Sequence, residues 1–206
     1  GASGKVLRML RDELLPYAFP NAELRARRTM RLDHVYQAAL NDGFTDVLVF
    51  NENHKKADAL LLVHLPAGPS ALFKLTSLRT TKQIEGHGTL HVSSDTPPEL
   101  ILNNFHTRLG RTVGRLLGAL YPQAPDFFAR RAVTFHNQRD FIFFRQHRYV
   151  FDTAEKVRIQ ELGPRFTLRL RRLQRGLWHP TEGEYVWVYK RRDGDNADQS
   201  KRRFAL

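Results

Sequence analysis

The 206-residue sequence predicts an α+β protein of two similar α/β lobes, strand-rich with few helices. Three observations carry that reading. Apolar spacing of the helical kind opens each half and gives way to strand-like alternation, first after Gly43 and again after Pro122. Between them, Arg79 to Pro98 is polar, holds Gly86, Gly88, Pro97 and Pro98, and keeps no sustained period, so the boundary falls there, giving halves 1–98 and 99–206. Late in the second half, Arg165 to Arg171 alternates basic or polar with apolar residues at period two.

In chain order, Val6, Leu7, Leu10, Leu14 and Leu15 predict an amphipathic helix over Lys5 to Leu15, stopped at Pro16. Ala22 to Arg27 reads as a short strand. Arg31 to Asn41 reads as a second helix, closed by Asn41-Asp42-Gly43. Strands are expected at Asp46 to Phe50, Ala59 to Leu65 and Ala71 to Leu78, the last two joined through Pro66-Ala67-Gly68-Pro69.

The second half opens on a helix from Arg108 to Leu120, ended by Pro122. Its Leu109, Val113, Leu116, Leu117 and Leu120 share one sector, Arg108, Arg111 and Arg115 another, and Gly110, Gly114 and Gly118 line the groove between. Three interior glycines cost such a helix roughly 1 kcal/mol each relative to alanine, so something approaches the backbone closely, either a neighbouring element or a phosphate chain. Strands follow at Ala132 to His136, Phe141 to Arg145, His147 to Phe151, Val157 to Leu162, Phe166 to Leu173 and Tyr185 to Tyr189. Asn137-Gln138-Arg139-Asp140 is the turn between the first two of these.

Composition narrows the function. Apolar residues make up 41% of the chain and 14 of its residues are Phe, enough for a core, and no apolar run approaches the ~18 residues of a membrane span. With no cysteine, disulfides and thiolate metal sites are excluded. The chain starts at Gly1 rather than Met and carries no recognisable signal peptide, as a trimmed piece would. Lys and Arg number 33 against 21 acids, a net of +12. Residues 1–100 contribute 12 basic and 11 acidic residues, so the surplus sits almost wholly in the second half.

Arginine dominates there, and its planar fork suits phosphate and stacks on bases, so a nucleic-acid partner is the first inference. Candidate RNA contacts are Arg165, Arg169, Arg171, Arg172 and Arg175 on and just after the alternating strand, with the arginine face opposite Phe166, Leu168 and Leu170. The slip at Arg171-Arg172 suggests a β-bulge. Further candidates are Arg108, Arg111 and Arg115 on the helix, and Arg145 and Arg148, which interleave with Phe141, Phe143, Phe144, Tyr149 and Phe151 as core or as a base-stacking platform.

Enzymatic readings are weaker. His136 and Asp140 lie four apart at a turn with no nucleophile in an elbow, and Asp193 to Asp198 lacks the Gly and terminal Glu of a calcium loop. No phosphate-cradling Gly-x-x-x-x-Gly-Lys and no dinucleotide fingerprint occurs. The expectation is no catalytic residue, no metal and no cofactor.

Gly163-Pro164-Arg165-Phe166-Thr167-Leu168-Arg169-Leu170, with Leu65-Pro66-Ala67-Gly68-Pro69, Asn103-Asn104-Phe105 and Arg108-Leu109-Gly110, resembles the Brix-domain family over nearly the whole chain. That resemblance implies a nucleolar ribosome-assembly factor of two α/β halves, each similar to an anticodon-binding domain of class II aminoacyl-tRNA synthetases. It implies binding of large-subunit precursor rRNA beside a dedicated protein partner and other pre-ribosomal proteins, without catalysis or membrane attachment. A related member of the small-subunit processome shares Gly-Pro-Arg-Phe. A strand usually precedes the first helix in this family, so the first half is expected to lack one here. Against an RNA binder stands a protein scaffold whose near-neutral first half, with apolar Ala59 to Leu65, docks another assembly factor.

Overall fold

The computed structural model describes residues 4–19, 21–89, 96–190 and 204–206. Its strands are β1 (Asp46–Asn53), β2 (Lys56–His64), β3 (Ser70–Arg79), β4 (Glu99–Asn103), β5 (Arg131–Gln138), β6 (Phe141–Phe151), β7 (Val157–Glu161), β8 (Arg165–Gln174) and β9 (Tyr185–Val188). All nine form one mixed sheet in the order β1-β2-β3-β8-β6-β5-β4, with β7 paired to β6 and β9 to β8. The helices are α1 (Gly4–Met9), α2 (Leu15–Ala18), α3 (Leu32–Asn41) and α4 (Arg108–Gly118). The protein is α+β and strand-rich, as its periodicities predict.

Strands of the first half continue directly into those of the second, because β3 pairs antiparallel with β8. The other edge of β8 pairs with β6 through Phe166 to Leu168 and with β9 through Arg172 to Gln174. The expected bulge is present: Phe73 faces Leu170 and Leu72 faces Arg172, which leaves Arg171 as the extra residue. The predicted boundary falls immediately before β4.

One sheet face carries the main core. Phe73, Leu75, Phe135, Phe144, Phe166, Leu168 and Leu170 are buried there beneath Val6, Leu10 and Leu14 of the N-terminal helical segment and Val113, Leu116 and Leu117 of α4. Phe144 and Phe166 stack on neighbouring strands with ring centroids 4.3 Å apart. The opposite face is covered over β1 to β3, where Tyr36 and Ala39 of α3 pack on Val47, Leu61 and Val63, with Leu72 and Trp178 at the margin. Among the described residues no helix covers that face over β8, β6 and β5.

Three expectations need correction. The first helical segment does not stop at Pro16: α1 runs into a π-helical turn (Leu10–Leu14) and on through α2 to Ala18. Proline has no N–H to give to a carbonyl one turn back, and widening the preceding turn with Pro16 in the first turn of α2 accommodates it. Ala22 to Arg27 is not a strand. Its charged residues are used otherwise: Arg25 pairs with Glu23 at 2.8 Å and with Asp42, and lies 5.3 Å from the centre of the Phe44 ring. Phe141 to Arg145 and His147 to Phe151 are one strand, since Gln146 stays in the ladder opposite Val133. A further element, β4, has no counterpart among the expected strands. It is short and exposed at three of five positions, and pairs parallel with β5, so it has no alternation to betray it.

The chain end ties the second half together. Asp140, in the β5–β6 turn, accepts hydrogen bonds from the Ala205 and Leu206 amides at 3.0 and 2.9 Å. Thr107, which caps α4 by accepting from the Gly110 amide at 2.9 Å, donates to the Ala205 carbonyl at 2.7 Å. Leu206 is buried in the core below.

The β2–β3 connection makes a testable contact between the halves. Gly68 has φ +92°, and a Cβ there would lie 2.5 Å from the carbonyl carbon and oxygen of Gly176, which follows β8. Gly68→Ala is therefore expected to cost roughly 1–3 kcal/mol, combining left-handed strain with a backbone clash. Urea unfolding should show a lower midpoint at unchanged slope, and an unchanged midpoint would mean that the loop is not held against Gly176.

Candidate nucleic-acid interface

Antiparallel register decides which side chains share the uncovered face. Leu168 and Leu170 point to the core, so Thr167 and Arg169 point away from it, and Lys74 lies opposite Arg169 while Phe143 lies opposite Thr167. The bulge brings Arg171 and Arg172 to the same side. Their guanidiniums do not wave in solvent. Arg169 is held between two rings, 4.7 Å from the centre of Phe141 and 4.6 Å from that of Tyr189, and Arg171 lies 4.6 Å from Tyr189. Arg169 also donates to the Tyr189 hydroxyl at 3.2 Å. Arg172 lies 5.9 Å from the centre of the Tyr185 ring. A cation on an aromatic face keeps its charge and loses rotamer freedom, so it meets an anion already oriented.

Not every predicted arginine stands free. Arg165 makes a two-pronged ion pair with Glu161, at 2.9 and 2.6 Å, with both side chains under a third exposed. Arg145 shares that carboxylate at 3.9 Å, donates to its neighbour's carbonyl at 2.8 Å and lies 6.0 Å from the Phe143 ring centre. Burial holds the Arg145 pKa below its ordinary value, and Arg165 adds to that while Glu161 opposes it. Arg175 pairs with Glu184 at 3.2 Å in the open. Arg148 sits in the β6 ladder opposite Arg131, on the core side of the sheet, and is half-buried. Buried Arg131 itself donates to the Thr96 carbonyl, and burial, then Arg148, lowers its pKa.

The proposed aromatic platform splits. Phe144 belongs to the core, whereas Phe141, Phe143, Tyr149 and Phe151 lie on the face that no helix covers. Sequence reasoning missed Lys74 and the supporting role of Tyr189, because only strand register reveals them. Neither lies near Arg169 in sequence.

Arg108, Arg111 and Arg115 are exposed on α4, which covers the other face of the sheet, so the structure does not bring them together with Arg169. The glycines beside them are filled by protein. A Cβ at Gly110 would meet the Leu206 backbone at 2.9 Å, one at Gly114 the Phe105 ring at 3.4 Å and one at Gly118 the Leu102 side chain at 3.5 Å. Close approach of the Leu206 backbone explains Gly110, whereas at Gly114 and Gly118 a Cβ would meet Phe105 and Leu102 at ordinary van der Waals distance. Gly114→Leu should overpack Phe105 and destabilise the fold by roughly 1–3 kcal/mol despite its better helix propensity, which thermal or urea unfolding will read.

His136 and Asp140, the pair four apart at the turn, are both hydrogen-bonded within the fold. His136 accepts from the Asn103 amide at 3.0 Å, while Asp140 holds the chain end. Among the described residues no group of three His, Cys, Asp or Glu side chains could hold a metal ion. Asp193 to Asp198 lies outside the described residues.

Residues 3–172 match the Brix domain. The chain belongs to the Brix-domain family. It is 46% identical over 98% of its length to ribosome production factor 1 of Pongo abelii, covering 56% of that protein. It is 48% identical over 85% of its length to that of Saccharomyces cerevisiae, again covering 56%. A Danio rerio relative of the same name is 48% identical over 93% of the chain. The chain thus spans little more than half the length of the curated relatives it matches. Its fold is shared with a crystal structure of a probable ribosomal biogenesis protein from Aeropyrum pernix, at TM-score 0.55 and 11% identity, covering 92% of this chain and 94% of that one.

Two predictions test the Brix-domain site as a structure. Arg165→Glu sets a second carboxylate against Glu161 in a half-buried site and is expected to destabilise the domain by about 1–3 kcal/mol in urea unfolding, whereas Arg172→Glu, exposed, should be near neutral. Burial also lowers the pKa of His147, with Arg145 and Arg165 acting in the same sense and Glu161 against it. The unfolded chain therefore takes up that proton first on acidification, so stability falls as pH drops through the ordinary histidine range towards the lowered folded value. His147→Gln should flatten that part of the stability–pH curve.

Proposed function

We propose that this Brix domain is a non-catalytic RNA-binding module of a ribosome biogenesis factor, acting in the nucleolus on precursor rRNA of the large subunit. The observation that carries the RNA reading is the uncovered sheet face, where Arg169, Arg171 and Arg172 rest on Phe141, Tyr189 and Tyr185 beside Lys74. Family membership and the names of the relatives support ribosome assembly as the setting. Phosphates are bound mainly by Lys74, Arg169, Arg171 and Arg172, and secondarily by Arg108, Arg111 and Arg115 across the domain. Arg165 and Arg145 fix the strand edge through Glu161, and Arg148 and Arg175 contribute field rather than contact. The halves 1–98 and 99–206 act as two lobes of this one module.

A dedicated assembly-factor protein is the second partner, and one feature favours it independently. The β6–β7 hairpin exposes Phe151, Val157 and Ile159, the last 67% exposed, which is an apolar surface without use for phosphate.

RNA affinity should fall steeply with salt, its log–log slope reflecting several phosphate contacts. Lys74→Glu with Arg171→Glu is expected to make that slope shallower by about 1 for each phosphate released while leaving unfolding nearly unchanged. Filter binding of structured RNA across a salt series reads the slope, and urea unfolding of the same preparation reads the stability. A flat salt response of the unaltered chain would overturn the proposal.

A further inference from the structure

A groove of ≈ 340 Å³ opens between the end of β4 and α4, with Asn103, Asn104, Phe105, Arg111, Gly114 and Arg115 on its walls. Those walls differ in chemistry. Arg111 and Arg115 are one helical turn apart and both exposed, and among the described residues neither guanidinium has a carboxylate at ion-pair distance. Like charges on one helix face repel, so the pair has no evident structural purpose. Across from them stand neutral amides and rings. Asn103 gives its amide nitrogen to His136 at 3.0 Å, which leaves its carbonyl oxygen as an acceptor. Asn104 is left-handed at φ +64° and its carbonyl is held by the Asn137 amide at 3.0 Å, so the turn that shapes the groove is fixed. Phe105 is braced against the glycine face of α4.

We propose that this groove takes one unstacked nucleotide of an RNA strand, its phosphates on Arg111 and Arg115 and its base against Phe105 and Asn103. This rests on the RNA reading above and adds to it: the sheet face holds backbone, whereas the groove selects RNA with an unpaired residue. Cations beside a planar ring and an amide suit an anion joined to a flat heterocycle with a hydrogen-bonding edge. A paired base inside a duplex could not reach it. The position at the rim of the sheet, away from Arg169, lets one RNA use both sites only if its strand departs from the helix.

The test uses the 206-residue chain and two probes, a hairpin RNA carrying 4-thiouridine in its loop and a fully paired duplex of the same stem. The unaltered chain should prefer the hairpin by roughly tenfold, about the worth of one base stacked on an aromatic ring. Ultraviolet crosslinking should join the thiouridine to the peptide holding Phe105 and His106. Arg111→Glu with Arg115→Glu, both at exposed positions, should abolish that crosslink and weaken hairpin binding more than duplex binding, so that the preference is lost, and Asn103→Ala should weaken the preference alone. Equal binding of hairpin and duplex, or crosslinks confined to β8 and β9, would overturn the groove proposal and leave the RNA reading standing. Failure of the unaltered chain to bind either RNA would overturn both. Uridine monophosphate binding as tightly as the hairpin would assign the groove to free nucleotides and overturn the RNA-specific claim.

Discussion

Everything in this domain hangs on the pairing of β8 with both halves of the chain. One of its edges is bonded to β3 and the other to β6 and β9. Its apolar side, Phe166, Leu168 and Leu170, lies at the centre of the main core. A strand bonded on both edges has no freedom to shift register, since a slip of one residue would turn Leu168 and Leu170 outward and bury Arg169. Anchoring the apolar residues therefore fixes the arginines as well. The bulge at Arg171 is a local departure from the ladder, and it brings two consecutive basic residues to the same side without disturbing Leu173 in the core.

Rings make that basic face more than a charged surface. Arginine side chains lose much rotamer freedom on meeting a phosphate, and this loss offsets part of the attraction. On β8 the loss is largely met in folding, because Phe141, Tyr189 and Tyr185 already hold the guanidinium planes. Arg165 illustrates the contrast. Its charge is engaged by Glu161, so it stabilises the join between β7 and β8 rather than offering itself to an anion. Identical residue types at alternate positions on one strand thus have different fates, decided by a carboxylate four residues upstream.

That difference marks the limit of what the sequence made legible. Period-two alternation located β8, its faces and its bulge, and helical spacing located α3 and α4, because these signals are local and strong. The two-pronged Glu161–Arg165 pair is also local, but nothing in the pattern distinguishes a ring-backed arginine from an ion-paired one. Lys74 and Tyr189 join the site only through pairing of strands far apart in sequence, and register is not written in either strand alone. Ala22 to Arg27 misled for the opposite reason. Its alternation satisfied local ion pairs around Arg25, with no neighbouring strand to make it part of the sheet. Of the α4 glycines, Gly110 announced a close approach that only the structure could assign to the Leu206 backbone, while Gly114 and Gly118 leave ordinary contact distance to Phe105 and Leu102.

Coverage of the sheet explains how one small domain can hold two surfaces of distinct chemistry. α4 and the N-terminal segment seal one face, and α3 seals the other only over β1 to β3, so the remaining area over β8, β6 and β5 is left to its own side chains. An uncovered sheet face is ordinarily a liability when apolar. Here Lys74, Arg169, Arg171 and Arg172 make one part of the face cationic, with Phe141 and Tyr189 against the guanidiniums, while Phe151, Val157 and Ile159 leave an exposed apolar part at the β6–β7 hairpin. The helix on the opposite side then carries its own arginines at the sheet rim, with Gly110 and Gly114 letting the chain end and Phe105 approach closely enough to form a groove wall. The glycine cost in helix stability is thereby offset by packing, and the same packing positions Arg111 and Arg115 beside Asn103.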